Sequence, residues 1–221
     1  LKEFVMTKLT GPVIEPANGA GIDQVIILCH GLGPSGADLI KMIQPYANVV
    51  PRTLVAAPEA TGEFMMGNNK LWFPVEKFDM AAIADGVKAA SVLLDEYITA
   101  LLKKYKVKQY VLLGFSQGAA VALYTGLRHH IAPMGIISLA GGLAAPETLA
   151  TELKNRVPVL IGHGEKDTVV PVAASHLAEK VLRSNNVPVY TVYEPDLGHN
   201  IGKAELNAAR IMLGRLLSRT A

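Results

Sequence analysis

The chain carries one cysteine, Cys29, among 221 residues, so no disulfide can close within it. That scarcity fits a reducing compartment. Neither sign of charge dominates: 21 Lys and Arg stand against 19 Asp and Glu. A strongly basic face for nucleic acid is therefore not expected. The densest basic patch, Lys103-Lys104 with Lys106 and Lys108, falls at the end of a helical pattern, where lysines complement the helix dipole. No apolar stretch reaches the length that spans a bilayer. The first residues, Leu1-Lys2-Glu3-Phe4-Val5-Met6, lack the basic-then-apolar order of a secretory signal, and the expected location is cytoplasmic.

What the chain has in quantity is apolar side chain. Half of its residues are hydrophobic and 18% are charged, a globular balance. The length suits one domain with one large core, spanning residues 1–221. No repeat, low-complexity tract or linker divides it.

Short apolar runs alternate with amphipathic ones. Val25 to Cys29, Thr53 to Ala57, Val107 to Phe115, Met134 to Leu139, Val157 to Gly162 and Pro188 to Tyr193 read as strands. Continuous apolar runs of this kind are buried on both faces, as in a parallel sheet covered by helices. Helices are expected from Ala37 to Asn48, Met80 to Tyr105, Gln117 to His130, Val172 to Ser184 and Ile201 to Arg219. In the second of these, Ile83, Val87, Ala90, Leu94, Ile98 and Leu101 recur at spacings of three and four. Phe4 to Leu9 reads as an edge strand. Thr10 to Asp23, rich in Gly, Pro and Ala, reads as turn and loop. Glu59 to Asp79 is an excursion without clear period. The fold class is α/β, a mostly parallel sheet with helices on both faces.

The run Gly114-Phe115-Ser116-Gln117-Gly118 joins a strand to a helix and matches G-x-S-x-G. A serine on so sharp a turn has its hydroxyl pushed out above the sheet. Chain passes close by, so the residues two before and two after must be small. The amides of the following helix favour a developing oxyanion. The plainer alternative is a serine that caps an ordinary β-α turn.

A serine hydroxyl needs a base in hydrogen-bond reach, and a carboxylate to orient that base. In α/β-hydrolases the chain order is nucleophile, acid, histidine. Among six histidines, only His199 follows the last strand in a loop, beside Gly198. Asp167 is the preferred acid because Val169-Val170-Pro171 would bury it, with Glu165 and Asp196 as competitors. The glycine turn His30-Gly31-Leu32-Gly33 offers the amide of Leu32 as a second oxyanion donor beside that of Gln117. His30 itself reads as structural, holding that loop. No pair of residues has zinc-like spacing, so no metal ligand is expected, and no organic cofactor.

His30-Gly31-Leu32-Gly33, Trp72-Phe73, Gly114-Phe115-Ser116-Gln117-Gly118-Ala119, His163-Gly164 with Asp167 and Val169-Val170-Pro171, and Gly198-His199 occur in an order that resembles the carboxylesterase/phospholipase family of α/β-hydrolases. That family includes acyl-protein thioesterases and lysophospholipases. The resemblance implies a hydrolase without a large cap domain, a Ser116-Asp167-His199 triad and an oxyanion hole at Leu32 and Gln117. It also implies an acyl groove walled in part by the 59–79 loop, where Met65, Met66, Leu71, Trp72 and Phe73 suit an apolar lining. For Trp72 and Phe73, packing of the loop onto the sheet is an equal reading. Val169 belongs to the same candidate lining. Gly142 and Leu143 do too: Ala140-Gly141-Gly142-Leu143 stands where thioesterase-like members usually carry bulkier or polar residues, which suggests open space near the nucleophile.

The resulting expectation is a serine carboxylesterase acting on short-to-medium acyl esters, small or lipid-like, through an acyl-enzyme. An acyl-protein thioesterase or lysophospholipase is the alternative, and a non-catalytic binding protein on the same fold is a distant one. Neither nucleic acid nor stable membrane insertion is expected, and a homodimer is left open.

Overall fold

The computed structural model describes residues 2–5, 9–16, 21–47, 51–63, 70–75 and 79–217. The chain opens with strands β1 (Lys2–Val5), β2 (Thr10–Ile14) and β3 (Gln24–Cys29), then helix α1 (Gly36–Ala47) and strand β4 (Thr53–Ala56). A two-residue hairpin, β5 (Gly62–Glu63) and β6 (Lys70–Leu71), precedes the long helix α2 (Met80–Tyr105). Then come β7 (Gln109–Phe115), α3 (Gln117–Arg128), β8 (Gly135–Leu139), the short helix α4 (Leu149–Glu152), β9 (Val159–Gly164), α5 (Ala173–Ser184), β10 (Val189–Glu194) and α6 (Lys203–Leu217).

Eight strands form one sheet in the order β1-β2-β4-β3-β7-β8-β9-β10. Every pairing from β4 to β10 is parallel, and only β1 and β2 run against their neighbours. The apolar runs explain the centre. All six residues of β3 are buried, as are all of β8 and β9. Period two then divides their side chains between the faces. Val25, Ile27 and Cys29 join one core with α2 and α3, while Ile26 and Leu28 join a second with α1 and α6.

Helix α2 begins and ends where its pattern predicted. The Asp79 carboxylate accepts from the amide of Ala81 at 3.0 Å and caps its start. Lys106, at φ 55°, ends it, with Lys103 and Lys104 in the last turn. Val87, Ala90, Leu94, Ile98 and Leu101 are all buried.

One expectation fails near the start. Thr10–Ile14 is a strand rather than loop, paired with β1 and β4. Its Gly and Pro have other uses than a turn. A Cβ on Gly11 would stand 2.1 Å from the carbonyl oxygen of Ala57, so glycine permits the close approach. Pro12 cannot donate to the ladder, but its carbonyl accepts from the amide of Ala57 at 3.0 Å. The expected edge strand begins as β1 at Lys2, two residues before Phe4, and pairs with β2; residues 6–8 lie outside the described residues. No helix among the described residues is long and apolar enough to cross a membrane.

Candidate active site

At the end of β7 the backbone turns sharply. Ser116 has φ 54° and ψ −120°, a conformation that L-residues avoid, and its amide donates to the carbonyl of Leu139 at 2.9 Å. The glycines on either side meet the requirement for small residues. A Cβ on Gly114 would lie 2.3 Å from the carbonyl oxygen of Gly118, and one on Gly118 would lie 2.1 Å from that of Cys29. The plainer reading of Ser116 as a capping serine does not hold, because its side chain makes no cap hydrogen bond to α3. The hydroxyl lies 3.0 Å from His199 Nε2 instead.

His199 Nδ1 stands 2.7 Å from Asp167 Oδ2, so three residues separated by 51 and 32 positions form one hydrogen-bonded line. The other oxygen of Asp167 accepts from the amides of Val169 and Val170 at 2.8 and 2.9 Å. Burial opposes the Asp167 charge, but hydrogen bonds from His199, Val170 and Val169 outweigh it and hold the carboxyl below its ordinary value. The competing acids are elsewhere: Glu165 is exposed, and Asp196 pairs with Lys166 at the surface.

The loop bearing His199 is tied at its far side. Glu194, at the end of β10, accepts at Oε1 from the amides of Ala204 and Glu205, both at 3.1 Å, and so caps α6. Glu205 accepts from the amide of Gly202 at 2.8 Å and is fully buried. Burial pushes its carboxyl up to about 7, the Gly202 amide pulls it down, and the charges of Glu194 and Asp167 add to the rise.

Sequence reasoning gave His163 no role, yet it touches the acid directly. Its Nε2 lies 3.1 Å from Asp167 Oδ2 and 2.8 Å from the carbonyl of Val170. Both are acceptors, so this nitrogen carries a hydrogen. Nδ1 faces Ser175 Oγ at 2.7 Å, and that hydroxyl also meets the carbonyl of Gly141 at 2.9 Å. Asp167 is thus held between two imidazoles. The signals in the chain were its place in the motif His163-Gly164 with Asp167 and the i, i+4 spacing, neither of which says that the two side chains touch.

His30 is wholly buried and its hydrogen bonds settle its tautomer. Nδ1 donates to the carbonyl of Gly31 at 2.6 Å, and Nε2 accepts from the amide of Ala60 at 3.0 Å. Desolvation holds it below its ordinary value, so it is neutral. Trp72 Nε1 donates to the His30 carbonyl at 2.8 Å. The Gln117 side chain completes the clamp: its oxygen accepts from the amide of Trp72 at 3.1 Å and its nitrogen donates to the carbonyl of Phe73 at 2.8 Å. These bonds fasten the glycine turn, the hairpin and the start of α3 together. Among the described residues, the amides of Leu32 and Gln117 have no protein acceptor.

Leu71, Trp72 and Phe73 are buried, whereas Leu32 and Val169 are exposed at 39% and 50% and present apolar surface. Met65 and Met66 lie outside the described residues. At Gly141 and Gly142, where open space is expected, the direction a side chain would take is already occupied. A Cβ on Gly141 would be 2.5 Å from that of Ala119, one on Gly142 would be 3.2 Å from that of Ala174, and Leu143 is buried. These glycines let the β8 turn pack against α3 and α5.

This geometry has relatives. The model of the family described as phospholipase/carboxylesterase matches residues 11–216. The chain belongs to that family. Acyl-protein thioesterase 1 of Gibberella zeae is 26% identical over 227 residues, covering 93% of this chain and 95% of its own. Among solved structures, esterase PE8 is 34% identical, with a TM-score of 0.89 over 96% of this chain and 100% of its own. A phospholipase/carboxylesterase from Dyadobacter fermentans is 26% identical, with a TM-score of 0.72 over 95% of this chain and 100% of its own. The expected fold, an α/β-hydrolase without a large cap, is the one these neighbours share.

Proposed function

We propose that the chain is a serine carboxylesterase that hydrolyses short-to-medium acyl esters through an acyl-enzyme on Ser116. The observation that carries this reading is the unbroken line Ser116 Oγ, His199 Nε2, His199 Nδ1, Asp167 Oδ2, with contacts of 3.0 and 2.7 Å. Ser116 Oγ attacks the ester carbonyl while His199 Nε2 takes its proton. The carbonyl oxygen becomes an oxyanion, and the amides of Leu32 and Gln117 are its donors; losing one such donor costs roughly a hundredfold or more. His199 then protonates the leaving alkoxide, the alcohol departs, and the acyl group stays on Ser116. A water, deprotonated by His199, attacks the acyl carbonyl; the bond to Ser116 Oγ then breaks as His199 returns the proton to Oγ, and the carboxylic acid leaves. Atoms and protons balance within the three residues, substrate and water.

Membership in the family and likeness to esterase PE8 support the ester reading. The thioesterase named among the relatives supports thioester cleavage as the second reading, since an acyl thioester presents the same carbonyl to Ser116. Met65 and Met66, with the exposed Val169, remain the proposed acyl contacts. A small or lipid-like ester is the proposed substrate, and the cytoplasm is the proposed location, on the evidence of the single cysteine.

The test is turnover of p-nitrophenyl butyrate by wild type and Ser116→Ala. The variant is expected to lose a factor on the order of 10⁶ in kcat. Near-wild-type turnover, or failure of the wild type to label with a fluorophosphonate, sinks the proposal. Rates on acyl thioesters and lysolipids beside simple esters rank the leaving groups.

A further inference from the structure

The far end of α3 carries a cluster that ester hydrolysis does not use. His129 ends that helix, its amide donating to the carbonyl of Thr125 at 2.7 Å, and its side chain is wholly buried. His130 follows and is exposed, with the two rings 4.4 Å apart between centroids. Asp95, half-buried on α2, brings Oδ1 to 3.3 Å from His129 Nε2. One ligand atom from each of Asp95, His129 and His130 lies within 4.8 Å of the others.

His129 Nε2 is buried and, among the described residues, makes no hydrogen bond. The Asp95 oxygen is near it but out of line. Around the other ring nitrogen there is a full set of partners: the Ile131 carbonyl at 2.8 Å, the Ile131 amide at 3.0 Å, and the Tyr110 hydroxyl at 3.1 Å. When Nδ1 donates to the Ile131 carbonyl, Nε2 turns a bare lone pair toward a carboxylate. When Nδ1 accepts from the Ile131 amide, Nε2 carries a hydrogen with no aligned acceptor. In the first tautomer the buried nitrogen has no partner, and a cation would satisfy both it and the carboxylate.

We propose that Asp95, His129 and His130 form a binding site for a divalent transition-metal ion of the zinc class, which ties α2 to the end of α3. Zinc takes imidazole nitrogen and carboxylate oxygen at about 2.0–2.2 Å in tetrahedral array, which sets neighbouring ligand atoms about 3.3–3.5 Å apart. The Nε2 to Oδ1 separation already has that value, and the His130 ligand atom lies within 4.8 Å of both. The Ile131 carbonyl supplies the outer partner that a ligating imidazole usually has on its second nitrogen. Two imidazoles and one carboxylate favour zinc, cobalt or nickel over magnesium or calcium. A fourth position is left for water. The site stands at the opposite end of α3 from Ser116, so it acts as a staple and not in the ester reaction.

The test uses the full chain, stripped with a chelator and titrated with cobalt(II), then zinc. The expected result is one equivalent of cobalt with the visible bands of a tetrahedral site, displaced by zinc, and a Tm that rises with zinc concentration. Asp95→Asn and His130→Ala, at positions that are not fully buried, are each expected to fold and to weaken binding by about tenfold or more. His199→Ala is expected to bind as wild type does. Absence of saturable binding, equal affinity in the Asp95 and His130 variants, or loss of binding in His199→Ala overturns the proposal.

Discussion

At the N-terminal end of α3, His199 Nδ1 lies 2.7 Å from Asp167 Oδ2, in line, and its other nitrogen faces the hydroxyl of Ser116. At the C-terminal end of the same helix, His129 Nε2 lies 3.3 Å from Asp95 Oδ1, out of line. Both ends hold a histidine beside an aspartate, and the difference lies in what holds the aspartate. Two amides fix one oxygen of Asp167 and two imidazoles share the other, inside the fold. Asp95 sits on the side of α2, part-exposed, opposite a histidine whose hydrogen bonds go to the backbone of Ile131. A carboxylate orients a base only when it is itself immobilised.

The sharpest way to break this comparison is to neutralise each aspartate in turn. Asp167→Asn removes the acceptor that selects the tautomer of His199, and kcat is expected to fall by about 10⁴. Loss of less than tenfold would mean that Asp167 does not orient the base. A smaller effect is expected at His163. His163→Asn keeps a polar atom near Ser175 but removes the donor to Asp167, and misplacement of the acid is expected to lower kcat by up to about a hundredfold with KM unchanged. His163→Gln, which can place an amide near the lost Nε2, should restore most of it. Equal losses in both variants would mean that packing alone matters there.

The third effect is on stability. In the unfolded chain Glu205 ionises near its ordinary value of 4.5, whereas in the fold it does so at about 7. Between those values the folded protein holds a proton that the unfolded chain has released. Stability therefore falls as pH rises through that window, by up to ~3 kcal/mol from this one group. Glu205→Gln should flatten the decline in Tm from pH 5 to pH 8 and raise Tm at the upper end. An equal decline in both proteins would remove Glu205 as its cause. The smallest effect belongs to Asp95: without metal, Asp95→Asn is expected to cost about 1 kcal/mol or less, read as a Tm shift of a few degrees at most. A larger cost would show that this aspartate is as firmly built in as Asp167.

The sheet was legible where strands are buried on both faces. Val25 to Cys29 and Met134 to Leu139 declare themselves by apolar content alone, because nothing else tolerates that environment. The elbow was legible because the turn at Ser116 admits only small neighbours, which Gly114 and Gly118 supply. Strand Thr10–Ile14 was hidden, since its Gly and Pro carry the same letters as a turn while serving close approach. At Gly141 and Gly142 the chain does not show which neighbours, Ala119 and Ala174, stand where a side chain would go. His163 stood in a motif piece with Asp167, but a histidine at a strand end does not by itself show that it will touch that carboxylate.

Local order along the chain therefore determined the strand and helix pattern and the sharp turn at Ser116, since steric limits at a turn and the burial of apolar runs act over a few residues. Only the tertiary structure decided that His163 shares Asp167, that Gln117 clamps Trp72 and Phe73, and that Asp95 meets His129. Those contacts, apart from that of His163, join residues 34 to 45 positions apart. They arise from how two helices and a sheet pack, and a hydrogen bond or an ion site is set by distance and angle in space, which residue spacing does not encode.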